Sequence, residues 1–137
     1  MKVEINHLEG VRFVIEARNH CIVSDQPHDN NGTDHGMTPP ELMLASLGSC
    51  AAHYAVQYLK ARNLADKGVK VSVTAEKLQQ PARLGDFRID VTCPVALTDE
   101  QKQGLSRSVH SCLIHNTLLA PPEITIGLTC VEAPVLV

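Results

Sequence analysis

Five cysteines, at positions 21, 50, 93, 112 and 130, carry the most reactive chemistry in this 137-residue sequence. Cys21, Cys93 and Cys130 fall in apolar runs with strand alternation, where a free cysteine behaves as a small buried hydrophobe. Cys93-Pro94-Val95 looks like a redox string, but it ends a strand run and reads as packing. Cys50 lies in Ala45-Ser46-Leu47-Gly48-Ser49-Cys50-Ala51-Ala52, where small neighbours let another group approach the thiol. Mid-helix placement denies it the N-terminal field of its own helix, so a reactive thiolate there would need a nearby cation. Cys112 opens Ser111-Cys112-Leu113-Ile114-His115-Asn116, where the N–H groups of a starting helix favour a thiolate. For both residues the local sequence leaves two readings open, a redox thiol or a small side chain filling a tight core position.

Histidines add a different class of chemistry. His53 and His115 each follow a cysteine by three residues, so two Cys-x-x-His pairs at helical spacing could meet in a Cys₂His₂ set of the kind zinc favours. A zinc-bound thiolate is not free to form a disulfide, so this reading and redox chemistry exclude each other. A third reading is a non-enzymatic stress or small-molecule-binding protein. His28 and His35 fall in a polar loop and read as solvated.

The elements that must position these residues follow from periodicity. Val3 and Ile5, then Val11, Phe13 and Ile15, alternate at period two around Glu9-Gly10, and Cys21-Ile22-Val23 forms a third short run. Asp25 to Gly36 reads as a loop without core-forming content. Thr38-Pro39-Pro40-Glu41 is a helix start, with Thr as N-cap, Pro at the first position and Glu closing a capping box. That helix is expected to run to about Asn63. It is apolar on most sides and difficult for one small domain to cover, so a homodimer burying it centrally is expected. Val69 to Ala75 and Phe87 to Cys93 are two further strands. Thr98-Asp99-Glu100-Gln101 opens a second helix to about His110, a short one follows to Leu119, and Ile124 to Cys130 reads as a last strand. Residues 1–137 form a single α+β domain without repeats or linkers.

Bulk properties narrow the function. At 44% hydrophobic and 20% charged residues the chain is globular rather than disordered. With 3% aromatics, its core must be built from Val, Ile, Leu and Ala. A net charge of −3 without a Lys/Arg cluster speaks against nucleic acid as a partner. Leu42 to Leu59 carries no full charge, but its His53, Gln57, two Tyr and two Ser make it a core helix and not a membrane span. The N-terminus lacks a hydrophobic signal core, and an odd number of cysteines without framework spacing suggests a cytoplasmic protein with working thiols.

Two stretches resemble a known family. Gly36-Met37-Thr38-Pro39-Pro40-Glu41-Leu42-Met43-Leu44-Ala45-Ser46-Leu47-Gly48-Ser49-Cys50 is similar to the proline-initiated central helix of the OsmC/Ohr superfamily, which carries its first redox cysteine. Ser111 to Leu118 looks like the family's second cysteine site, and the order of elements also matches. The resemblance implies an α+β OsmC-like fold, with β-sheets wrapped around a long buried central helix in an intertwined homodimer. It implies a thiol-dependent peroxidase acting on organic hydroperoxides, with no cofactor and no metal. Cys50 would form the sulfenic acid and Cys112 the resolving disulfide, with an external dithiol, commonly lipoyl-type in relatives, as reductant. The family's arginine from the N-terminal strands corresponds to Arg12, with Arg18 as rival, and its helix-start glutamate to Glu41. Aligned on Cys50, Glu41 falls one position late, about 100° around the helix, which makes it equally a capping-box residue. Leu113 stands where a proline is common. Both departures point to a divergent branch of the family.

Overall fold

Alternation in the first two dozen residues produces three antiparallel strands in order: β1 (Glu4–Glu9), β2 (Arg12–Ala17) and β3 (His20–Ser24). The computed structural model describes residues 1–131. Gly10, at φ +56°, supplies the left-handed residue that closes the β1–β2 turn, and Arg18 adopts the same region between β2 and β3. The sheet leaves Ile5, Leu8 and Ile22 exposed, as Val3 just before it is, so much apolar surface here has no cover within one chain.

The loop that follows is more organised than its composition suggests. Asp25 is only 1% exposed. Its carboxylate accepts hydrogen bonds from Gln26 N (2.8 Å), Thr33 N (3.1 Å), Thr33 Oγ1 (2.7 Å) and His35 N (3.0 Å). Four donors on one carboxylate meet the desolvation cost of burying it and fold the loop around it. Gly32 is required for the same reason, because a Cβ there would lie 1.7 Å from the Gln26 carbonyl oxygen.

The capping box at Thr38 and Glu41 forms as its residue types dictate and opens α1 (Pro39–Lys60). The helix ends three residues earlier than the apolar pattern indicated, because the chain turns through Asn63 at φ +54°. Leu47, Ala51, Ala55, Tyr58 and Leu59 form its buried face. That face packs on the hairpin of β4 (Lys70–Gln79) and β5 (Ala82–Thr92), whose inward Val71, Ile89 and Val91 complete the core. Gly48 lets β4 approach closely; a Cβ on it would meet Val73 Cγ2 at 2.9 Å.

A second capping box, Thr98 with Gln101, opens α2 (Asp99–His110), and α3 (Leu113–Leu119) follows after a two-residue break. Helix α2 crosses α1 where Gly104 leaves room for the Tyr58 ring, and the Ser108 hydroxyl donates to the Tyr54 carbonyl at 3.2 Å. Arg62 stacks over the Tyr58 ring, 3.7 Å from its centroid. Among the described residues no helix is long and apolar enough to cross a membrane.

One expectation fails within the single chain. Residues 124–130 form no strand, and Ile124, Ile126 and Leu128 are 86%, 80% and 90% exposed. Their alternation is that of a strand, but no edge of their own chain pairs with it. One chain also leaves Met43, Ala45, Ser46 and Ser49 of the central helix exposed, in keeping with a helix that a single small domain does not cover.

Candidate functional site: two facing thiols at a helix start

Cys50 lies three turns into α1, one residue before the fully buried Ala51. Cys112 is the N-cap of α3 and is itself 0% exposed. The crossing of α1 and α2 at Gly104 brings the end of α2, and with it Cys112, down onto the Cys50 side of the central helix. The two thiols are within hydrogen-bonding reach of each other, and the Ile114 and Leu113 N–H groups also point to Cys50. Both cysteines are free thiols.

The electrostatics of the pair are unequal. Burial works against ionisation of Cys50, but the Cys112 thiol and the N–H groups of Ile114 and Leu113 outweigh it and hold its pKa below the ordinary thiol value. Burial is also the largest influence on Cys112, and there it is reinforced by the neighbouring Cys50, so the Cys112 pKa is raised. One sulfur is prepared to be a thiolate and the other to donate its proton to it.

This corrects the sequence argument that Cys50 could not draw on a helix N-terminus. Its own helix cannot help, but the first N–H groups of α3, unpaired within their helix, are aimed at it from outside. No cation is among the influences on Cys50.

The other expected residues are placed as follows. Arg12 opens β2, and its guanidinium contacts Glu9 and His35, while its Nε is buried without a partner. Arg18 is exposed at the β2–β3 turn. Glu41 closes the capping box with Thr38. Within one chain, therefore, neither arginine nor Glu41 joins the sulfur pair. The exposed His53 stacks edge-on with Tyr54, and His115 packs against His110 with ring centroids 5.1 Å apart. Among the described residues no three His, Cys, Asp or Glu side chains gather as a metal site.

Of the remaining cysteines, Cys93 is half-buried with its pKa raised by burial, as suits a packing residue. Cys21 and Cys130 are exposed, contrary to expectation. Both belong to segments whose apolar faces lack cover in a single chain.

Residues 32–127 match the profile of the OsmC-like protein family. The chain belongs to that family. A search of curated proteins finds no match. Among solved structures, the OsmC-like chain is similar to a Psychrobacter arcticus 273-4 protein described as an osmotic stress induced and detoxification response protein. That likeness has a TM-score of 0.79 at 20% identity, covering 85% of this chain and 87% of that one. It is similar to an OsmC-like protein of Mycoplasma pneumoniae, with a TM-score of 0.73 at 18% identity over 88% and 87% of the two chains. An organic hydroperoxide resistance protein of Legionella pneumophila matches with a TM-score of 0.59 at 12% identity, over 85% and 87%. These likenesses establish the OsmC-like fold expected from the sequence.

Proposed function

We propose that the protein is a two-cysteine peroxidase that reduces organic hydroperoxides. The observation that carries this reading is the unequal thiol pair, with a Cys50 favoured as thiolate hydrogen-bonded by a Cys112 favoured as thiol. The Cys50 thiolate attacks the outer peroxide oxygen, the O–O bond breaks, and the alkoxide leaves as the alcohol after taking a proton. Cys50 is then a sulfenic acid. Cys112 attacks that sulfur, the S–O bond breaks, and water leaves as the Cys50–Cys112 disulfide forms. An external dithiol returns both sulfurs to thiols by exchange. The family membership and the hydroperoxide resistance function of the Legionella relative support the same class of chemistry.

The working unit in this reading is an intertwined homodimer. Its support is apolar surface that one chain leaves open: Ile5, Leu8 and Ile22 of the first sheet, Met43 of α1, and the strand-like alternation of Ile124, Ile126 and Leu128. A second copy supplies what is missing on every count, including an edge for residues 124–130. In such a dimer the N-terminal sheet of one protomer covers the central helix of the other. Arg12, with its unpartnered Nε, then serves the partner's thiolate.

The test is peptide mass spectrometry of the reduced protein after one equivalent of an organic hydroperoxide, with Cys50→Ser and Cys112→Ser in parallel. A Cys50–Cys112 disulfide in the wild type and a trapped sulfenic acid on Cys50 in Cys112→Ser are expected. Oxidation spread slowly over all five cysteines would overturn the reading.

A further inference from the structure

A cavity of about 870 Å³ between β5 and α2 has no part in the cycle described above. Neither Cys50 nor Cys112 lines it, and its volume falls in the range of small-molecule sites. One wall is built from Phe87, Ile89 and Val91, which follow the period of two along β5. The other is the face of α2 that carries Leu105 and Val109, one turn apart. All of these are hydrophobic, so the cavity is an apolar slot running along the helix.

Basic side chains stand at both ends of this slot. Residues 93–98 connect β5 to α2, which puts Lys102 near the connection and His110 at the far end of the helix. At the rise of an α-helix the two are about 12 Å apart along its axis. His115 of α3 lines the same end as His110, with the ring centroids 5.1 Å apart. Among the described residues that line the cavity none is Asp or Glu, although the whole chain has a net charge of −3. A cation would find no counter-charge there, whereas an anion does.

Lys102 is the group suited to hold a charged head. Its Nζ lies 3.2 Å from Asp99 Oδ1, and both side chains are mostly exposed, so this pair binds the ammonium only weakly. An ammonium has three N–H donors, and one contact leaves two for a ligand at the mouth of the slot. At the far end the histidine rings offer amphipathic surfaces against which an aliphatic chain can stop.

We propose that this slot binds a free aliphatic monocarboxylate, with the carboxylate on Lys102 and the chain laid between β5 and α2 toward His110. The site is independent of the two-cysteine reading, and neither falls with the other.

The experiment is a ¹H–¹⁵N NMR titration of the reduced full chain with hexanoate, heptanoate, octanoate and octan-1-ol. Saturable shifts at the amides of Val91 and Val109 are expected, with affinity rising about 4-fold for each added CH₂. Octan-1-ol, which lacks the charge, should bind about 10-fold more weakly than octanoate. Lys102→Met keeps an unbranched stem and removes the ammonium. It should lower octanoate affinity about 10-fold, leave octan-1-ol unchanged, and be reversed in Lys102→Arg. Because Lys102 is exposed, neither substitution disturbs the core. Equal affinity for octanoate and octan-1-ol, or unchanged octanoate affinity in Lys102→Met, would overturn the proposal. So would the absence of saturable octanoate binding, the result expected if a second copy of the chain already fills the slot.

Discussion

The carboxylate of Glu41 accepts hydrogen bonds from both the backbone N–H of Thr38, at 2.7 Å, and its hydroxyl, at 2.8 Å. These bonds lower the Glu41 pKa and hold the side chain at the start of α1. Glu41→Gln is therefore expected to leave the rate of Cys50 oxidation close to that of the wild type. Thr38→Ala should lower stability by about 1 kcal/mol through loss of the cap, read in urea denaturation. A large loss of peroxide reactivity in Glu41→Gln would show that the carboxylate acts in the dimer as more than a cap.

Cys50 should be the most readily alkylated of the buried and half-buried thiols near neutral pH. Its pKa is lowered, so the thiolate is present below the ordinary thiol range, whereas burial keeps Cys93 and Cys112 protonated. The sign for stability follows. A depressed thiol pKa stabilises the fold above the unfolded-state value, and that contribution is lost as pH falls through the folded-state value. Cys112→Ala removes the donated S–H and should shift Cys50 alkylation to higher pH, measured as the pH profile of iodoacetamide labelling at Cys50.

Asp25 should hold the loop from Gln26 to His35 closed down to strongly acidic pH. The Thr33 hydroxyl is the largest influence on its carboxylate, followed by the His35 N–H, and together they pull its pKa far down. The stabilisation is present above the unfolded carboxylate value and fades only as pH falls through the lowered one. Amide hydrogen exchange at Thr33 and His35 should be slow at neutral pH and accelerate only in strong acid. In Asp25→Asn those amides should exchange fast even at neutral pH.

Gly104→Ala tests the contact that brings the two cysteines together. A Cβ at this position would lie 2.3 Å from the Tyr58 hydroxyl and 2.8 Å from its ring, so α2 must shift away from α1. Overpacking of this kind costs about 1–3 kcal/mol, against about 1 kcal/mol gained in helix propensity. The thermal midpoint should fall or hold level, while the yield of Cys50–Cys112 disulfide should drop. Unchanged disulfide yield would mean that this crossing does not set the sulfur geometry.

Ile126→Asp should weaken self-association. Ile126 is 80% exposed in a single chain, so the substitution breaks no contact there. A shift toward monomer in sedimentation velocity would support pairing of residues 124–130 with a second copy; an unchanged sedimentation coefficient would count against it.

The sequence by itself determined the local structure. Thr38 and Thr98 with their third-position partners set both main helix starts, and alternation at period two set the strands, because caps and pleats depend on near neighbours. It also singled out Cys50 and Cys112 by their small-residue and helix-start contexts. What only the tertiary structure decided is how those pieces meet. The N–H groups that lower the Cys50 pKa belong to Leu113 and Ile114, more than sixty positions away, and reach it only because Gly104 lets α2 cross against Tyr58. The burial of Asp25 depends in the same way on a loop closing around it, which composition concealed. The segment 124–130 shows the reverse case, since its pattern is that of a strand and its own chain offers no edge. Periodicity records which face of a segment seeks cover, and only the packed molecule supplies the surface that covers it.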